Sequence, residues 1–87
     1  MEETTTAALE PAVREILLPL LGPSTDPAGI GPDTDLWQAG LDSLGSVSLM
    51  AGLEDTFGIE FPDALLTKDT FSTVGRIVAA LDGLVRS

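Results

Sequence analysis

The chain has 87 residues, of which 14 are acidic and four are basic, and a net charge of −10. That length holds one domain with one core, and the charge disfavours nucleic acids and anionic membrane surfaces as partners. Histidine and cysteine are absent, which excludes disulfides, thiolate metal sites and the usual Ser/His or Cys/His catalytic pairs. With no signal-peptide or membrane-span pattern, we expect one cytoplasmic, monomeric domain over residues 1–87 that is not an enzyme.

The first predicted helix carries apolar residues at helical spacing, namely Leu9, Val13, Ile16, Leu17 and Leu20. Proline is best tolerated in the first turn of a helix, so Pro11 places the helix start between residues 8 and 11. The residues before this helix, from 1 to about 7, are then predicted to be a flexible N-terminus. Pro19 is expected to kink or end this helix, because an interior proline costs about 3 kcal/mol.

A long loop is predicted after this helix, since residues 22–34 hold three prolines and three glycines. Ile30 is the only large apolar residue of that segment and is expected to pin the loop to the core. Leu36 and Trp37 then form a short apolar turn, in which Trp37 packs partly buried over the start of the second helix.

The second predicted helix runs from about Ser43 to Phe57 and ends at Gly58, which fits a left-handed C-terminal cap. On a helical wheel its core face consists of Leu49, Met50, Leu53 and Phe57. A second apolar arc consists of Leu44, Val47 and Ala51, with Glu54 and Asp55 on either side. An exposed apolar arc with an acidic rim is typical of a docking surface; the alternative is a helix that is buried over most of its circumference.

The rest of the chain completes an all-α architecture. Residues 59–62 are predicted as an extended linker and residues 63–66 as one helical turn. The last helix is predicted to start at an N-cap on Ser72, and its apolar stripe comprises Val74, Ile77, Val78, Leu81, Leu84 and Val85. The expected fold is a four-helix bundle with three longer helices, a short third helix and a long first loop.

The stretch Gly40-Leu41-Asp42-Ser43-Leu44 opens the second helix. A serine beside an aspartate at a helix start usually has a capping role. The functional alternative is that Ser43 carries a phosphate ester, because the N–H groups and the dipole of a helix N-terminus both favour an anion there. In that position the hydroxyl would stand beside the second apolar arc.

This motif resembles the phosphopantetheine attachment site of acyl carrier proteins. The likeness continues in Val47, Leu49, Leu53, Glu54 and residues 57–63, and in the length and acidity of the chain. The resemblance implies a four-helix bundle of acyl-carrier type, in which Ser43 receives 4′-phosphopantetheine from coenzyme A and Asp42 is the motif acid beside it. A separate phosphopantetheinyl transferase, which uses magnesium, would attach this arm, and its thiol would hold an acyl or aminoacyl group as a thioester.

Two departures from the family pattern bear on the partners. Fatty-acid carriers typically place acids after the motif serine, where this chain has Gly45, Ser46 and Ser48, and Leu65 and Leu66 replace the usual charged residues after the Pro-Asp pair. The docking surface therefore carries fewer acidic side chains than that of a typical fatty-acid carrier. The resemblance thus implies a dedicated biosynthetic pathway, with its own adenylating ligase and a downstream acyltransferase or synthase, rather than a housekeeping fatty-acid synthase.

The sequence around the motif serine and after Gly58 bears on the cargo, that is, on the group that the arm would carry. Residues 43–50 and 61–66 also resemble carriers that are loaded with an amino acid by an adenylating ligase. The resemblance therefore implies aminoacyl cargo, while fatty acyl, polyketide or other acyl cargo stays an open alternative. For Trp37, contact with the arm is the alternative to simple packing.

The rival hypothesis is an unmodified acidic helical interaction module, in which Ser43 only caps the second helix. A hydrolase that uses Ser43 has no histidine to act as a base, and Lys68 is distant in sequence. Residues 33–35 begin like a calcium loop, but Trp37 and Gln38 stand where an oxygen ligand and a glycine are needed. We therefore predict neither a catalytic residue nor a metal ligand.

Overall fold

Helices form every regular element in residues 2–22 and 25–86, the part of the chain that this computed structural model describes. Helix α1 spans Glu2–Leu17, α2 spans Ser43–Phe57 and α3 spans Val74–Arg86. Short 3-10 turns cover Leu18–Leu21, Pro27–Gly29 and Asp63–Leu65. The predicted all-α bundle is confirmed, and its short third helix is the single turn at Asp63–Leu65. None of the described helices combines the length and the apolar character that a membrane crossing needs.

Helix α1 starts earlier than the sequence pattern predicts. It begins at Glu2, so the predicted start between residues 8 and 11 is wrong, and the helix covers most of the segment predicted as a flexible N-terminus. A helix passes through a proline when packing outweighs the lost backbone hydrogen bond, and Leu9 and Val13 are buried on either side of Pro11. Met1, the first residue of that predicted flexible segment, lies outside the described residues.

Pro19 acts as predicted. The α-helical geometry ends at Leu17, and a 3-10 turn over Leu18–Leu21 contains the proline near its start. The long loop then leads to α2, and Ile30 is buried in the core at 6% exposure, as predicted. Residues 23 and 24 of this loop lie outside the described part of the chain.

One apolar core joins the three helices and the long loop. The predicted core face of α2 is confirmed, because Leu49 and Leu53 are fully buried while Met50 and Phe57 pack against the core. The other buried residues are Leu9, Val13, Leu17, Leu21, Ile30, Leu36, Leu41, Phe61, Phe71, Val74, Ile77, Val78 and Leu81. All buried side chains of the described residues are apolar, so apolar burial is the main term that stabilises the fold.

Hydrogen bonds tie the long loop to the helices on both sides of it. The guanidinium of Arg14 in α1 donates to the carbonyl of Ile30, and the backbone N–H of Gly75 in α3 donates to the carbonyl of Pro32 at 2.9 Å. These contacts fix the segment that leads into α2. The start of α2 is therefore held in a defined place although a long loop precedes it.

The N-cap of α3 lies one residue later than predicted. The Oγ1 of Thr73 accepts the backbone N–H of Arg76 at 3.1 Å, whereas the hydroxyl of Ser72 donates to the carbonyl of Asp69. The carbonyl of Ser72 accepts the N–H of Leu36 at 2.8 Å, which holds Ser72 in the loop. The prediction of Ser72 as the cap is therefore wrong, and Thr73 does this work with the same hydroxyl chemistry.

The excess of acids leads to a testable expectation about stability. Four basic residues cannot neutralise 14 acidic ones, and most acidic side chains of the described part are exposed. Like charges on a compact surface destabilise it, and salt shortens the range of that repulsion from about 30 Å at 0.01 M to about 3 Å at 1 M. We expect the melting temperature, followed by circular dichroism, to rise over that range. A constant or falling melting temperature would contradict this expectation.

Candidate functional site

Gly40 makes the turn that leads into α2. Its φ is +123°, a backbone conformation that side-chain-bearing residues rarely adopt. A Cβ at this position would also lie 2.9 Å from the carbonyl oxygen of Leu21, which is backbone and cannot rotate away. The turn is closed by a hydrogen bond from the N–H of Leu41 to the carbonyl of Leu36 at 2.9 Å. Glycine is required here for both conformation and space.

Asp42 is the N-cap of α2. It has extended backbone angles, and its Oδ1 accepts the backbone N–H of Gly45 at 2.7 Å. A cap is supplied by the residue before the first helical one, and Ser43 is that first helical residue. The hypothesis that Ser43 only caps α2 is therefore wrong, since its neighbour already has this role.

The hydroxyl of Ser43 is accessible and has no structural role among the described residues. The side chain is exposed, and no described residue forms a hydrogen bond with its Oγ; its backbone carbonyl accepts the hydroxyl of Ser46 at 2.8 Å. The position at the helix N-terminus favours an anion, because the dipole of α2 is positive there. Ser43 thus offers an unengaged nucleophilic oxygen where a phosphate ester would be stabilised.

An open groove of about 460 Å³ lies beside Ser43, between α2 and the segment of residues 66–71. Its lining combines apolar and polar side chains, namely Trp37, Ser43, Ser46, Val47, Met50, Leu66, Thr67, Lys68 and Phe71. A groove with this mixture can receive a flexible chain that carries both amide and methylene groups. The exposed hydroxyl of Ser43 and the lining of this groove therefore have the chemistry that a phosphopantetheine arm would need.

The second apolar arc of α2 is exposed, as predicted. Leu44 is 81% exposed and Val47 is 58% exposed, and Ala51 also faces solvent. The alternative of a helix buried over most of its circumference is therefore wrong. Large apolar side chains at such exposure mark a surface that a partner can cover.

The two acids predicted to flank this arc have different surroundings. Asp55 is exposed. Glu54 is half-buried, and its Oε2 accepts the backbone N–H of Phe61 at 2.8 Å. Glu54 thus holds the segment that follows the left-handed cap at Gly58, and Phe61 packs on Phe71 with ring centroids 5.7 Å apart. Asp55 is left as the freely exposed acid beside the arc.

A contact between Trp37 and Lys68 was not predicted. Trp37 is partly buried, as expected, and its Nε1 donates to the carbonyl of Lys68 at 3.2 Å. The Nζ of Lys68 lies 5.2 Å from the centroid of the indole ring, within the range of a cation–π interaction. The two residues are 31 positions apart in sequence, so no local sequence pattern could predict their contact.

The family model described as "Phosphopantetheine attachment site" matches residues 11–81 of the chain. The chain belongs to the phosphopantetheine-binding carrier protein family. The cofactor of this carrier protein is accordingly a covalently attached 4′-phosphopantetheine. The protein carries a group for other proteins and is not itself an enzyme.

Named relatives agree with this assignment. The carrier protein is 43% identical over 65 residues to the aminoacyl carrier protein of Agrobacterium fabrum, over 75% of this chain and 78% of that protein. It is 45% identical over 53 residues to the D-alanyl carrier protein of Streptococcus pyogenes, over 60% of this chain and 67% of that protein. Both relatives carry amino acids according to their names.

Solved structures show the same fold. One is the crystal structure of an engineered Bradyrhizobium japonicum glycine:[carrier protein] ligase complexed with carrier protein from Agrobacterium tumefaciens and AMP. The match has a TM-score of 0.76 and 39% identity, and it covers 83% of this chain and 96% of that chain. The corresponding complex with ATP matches with a TM-score of 0.78 and 37% identity, over 86% of this chain and 97% of that chain. The predicted carrier fold is confirmed.

Proposed function

We propose that this carrier protein holds an aminoacyl group as a thioester on a 4′-phosphopantetheine arm attached to Ser43, and that it passes this group between the enzymes of a dedicated pathway. The observation that supports it most directly is the exposed Ser43 hydroxyl, which has no hydrogen-bond partner among the described residues because Asp42 caps α2. When bound, the group supplies the thiol that a chain without cysteine lacks.

Attachment requires a phosphopantetheinyl transferase, coenzyme A and magnesium. The bond that forms joins the Oγ of Ser43 to phosphorus, the diphosphate bond of coenzyme A breaks, and adenosine bisphosphate leaves while the transferase takes the serine proton. The N-terminus of α2 stabilises the phosphate negative charge that results. The carrier itself therefore contributes the acceptor oxygen and a favourable electrostatic setting.

The proposed loading partner is an adenylating ligase specific for an amino acid. This is supported by the relatives that are named aminoacyl and D-alanyl carrier proteins, and by the fold match to a carrier protein held by a glycine:[carrier protein] ligase. A downstream acyltransferase or synthase would accept the group. A cytoplasmic location and a monomeric state belong to the same proposal. The net charge of −10 supports the monomeric state, because like charges oppose self-association.

The exposed arc of Leu44, Val47 and Ala51, with Asp55 beside it, is the proposed docking surface for this ligase. The first turn of α2 contains no acid, and the arc is apolar and exposed. The complementary partner surface is therefore an apolar patch with few charges. In this arrangement Glu54 acts inside the carrier, through its bond to Phe61, rather than at the rim.

A loading assay tests the proposed cargo. Holo carrier is incubated with ATP and a glycine-type adenylating ligase, with glycine, other small amino acids and short carboxylic acids offered separately, and intact mass is recorded. We expect a mass gain with an amino acid that is lost after hydroxylamine treatment, because a thioester is cleaved by that nucleophile. Loading by short carboxylic acids alone would contradict aminoacyl cargo and leave the carrier role intact.

The docking surface has its own test in Val47→Asp. A charge placed at the centre of an apolar contact must be desolvated, and the loss of a hot-spot side chain costs about 2 kcal/mol of binding or more. We expect the loading rate by the ligase at limiting carrier to fall about tenfold or more, which corresponds to about 1.4 kcal/mol. Thr56→Asp is the matched control, because Thr56 is exposed on the opposite side of α2. Equal loading of both variants would rule out this arc as the docking surface.

A further inference from the structure

Lys68 is the one charged residue among the described residues that line the groove beside Ser43. It is also the only lysine of the chain. Arg14 pairs with Glu10 and Arg76 pairs with Asp69, but no described carboxylate pairs with the ammonium of Lys68. That ammonium lies instead over the ring of Trp37, which lines the same groove.

Attachment of the arm would create a charge that this cation can match. A phosphodiester on Ser43 carries one negative charge, and it would stand next to Asp42 in a chain that already has a net charge of −10. The carboxylate of Asp42 is exposed and is held in place by Gly45. The like charge of Asp42 opposes the phosphate, so a nearby cation without an acidic partner gains from moving to it.

Trp37 places Lys68 for this role. The indole Nε1 donates to the carbonyl of Lys68 at 3.2 Å, which fixes the lysine backbone at the groove wall, while the indole ring gives the ammonium a resting position in the groove. A cation held by a ring face is easily transferred to an anion, because an exposed cation–π contact contributes little.

We infer that Lys68 is a positioning residue for the arm: in the modified protein its ammonium pairs with the phosphodiester on Ser43 and orients the pantetheine chain into the groove that both residues line. This inference rests on the proposed attachment at Ser43. The ligand class is an alkyl phosphodiester, and Trp37 is the resting contact of the ammonium in the unmodified protein.

The test uses two reporters that occur once in the chain, Lys68 and Trp37. Parent protein, Lys68→Met and Lys68→Arg are prepared in apo and holo forms, and intact mass verifies the modification. The measurements are the ¹³Cε resonance of labelled Lys68, the emission of Trp37 and the ³¹P resonance of the phosphodiester. Thermal melts of all three proteins show whether each variant is folded.

We expect the Lys68 resonance and the Trp37 emission of the parent to change from apo to holo. The ³¹P resonance of holo Lys68→Met should differ from that of the holo parent, and the resonance of holo Lys68→Arg should lie closer to the parent position. In about 1 M salt the parent resonance should shift toward the Lys68→Met position, because charges are then screened beyond about 3 Å. A ³¹P resonance that is the same in all three proteins would overturn the inference, whether or not the lysine signal moves. A missing mass gain in the parent would instead overturn the attachment at Ser43, and with it this inference.

Discussion

Ser43→Ala is expected to abolish attachment of the arm and all subsequent loading, while the free energy of unfolding changes by no more than about 0.5 kcal/mol. The functional loss is complete because the acceptor oxygen is removed. The stability stays nearly constant because Ser43 is exposed and its hydroxyl makes no hydrogen bond with the described residues. Intact mass after incubation with transferase and coenzyme A measures the first effect, and urea unfolding measures the second.

Two further variants separate modification from capping. Ser48→Ala removes an exposed hydroxyl from the same helix and should leave both modification and stability at the parent level. Asp42→Ala removes the carboxylate that accepts the N–H of Gly45 and should lower the free energy of unfolding by about 1 kcal/mol. If Ser43→Ala destabilised the protein as much as Asp42→Ala, the assignment of the cap to Asp42 would be wrong.

Gly40→Ala is expected to cost about 2 to 3 kcal/mol of stability, the largest effect that a single methyl group should have in this chain. The added Cβ meets the carbonyl oxygen of Leu21 at 2.9 Å, and the φ of +123° is unfavourable for alanine in any case. A domain of this size has a total stability of only about 5 to 15 kcal/mol. The motif glycine therefore accounts for a large part of the stability of a domain whose turn at residue 40 presents Ser43.

The matched control is Gly83→Ala, which makes the same chemical change within α3. Apart from its chain neighbours and the nearby backbone of α3 itself, no described atom lies within 4 Å of the position that its Cβ would occupy. Alanine is favoured over glycine in a helix by about 1 kcal/mol. We expect Gly83→Ala to stabilise the protein. Denaturant unfolding of both variants gives the comparison, and equal free energies of unfolding for Gly40→Ala and the parent would contradict the strained turn.

Local signals predicted α2 closely. Its end at Phe57 follows from Gly58, whose left-handed conformation stops the helix. The apolar residues at helical spacing also separated two apolar arcs on α2, because the 3.6-residue repeat decides which residues share a face. Whether the second arc is exposed or buried stayed open in the sequence, and the fold decides it, since Leu44 and Val47 are exposed. Capping was harder to predict: Asp42 and Ser43 are adjacent, as are Ser72 and Thr73, and all three residue types accept the same hydrogen bond.

Features that depend on tertiary contacts could not be predicted from local sequence patterns. Helix α1 runs through Pro11 because core packing offsets the lost hydrogen bond, and that packing involves other helices. Glu54 bonds to Phe61 only after the chain has turned at Gly58. The groove beside Ser43 is formed by segments that are far apart in sequence, so its lining could be known only from the fold.

The most direct test of the carrier role is the intact mass of the parent protein after incubation with coenzyme A, magnesium and a phosphopantetheinyl transferase of broad specificity, followed by fragmentation. The proposal predicts a gain of one phosphopantetheine per chain, located on Ser43. A folded protein that gains no mass while a known carrier is modified in parallel would contradict the proposal, as would a modification located on another serine.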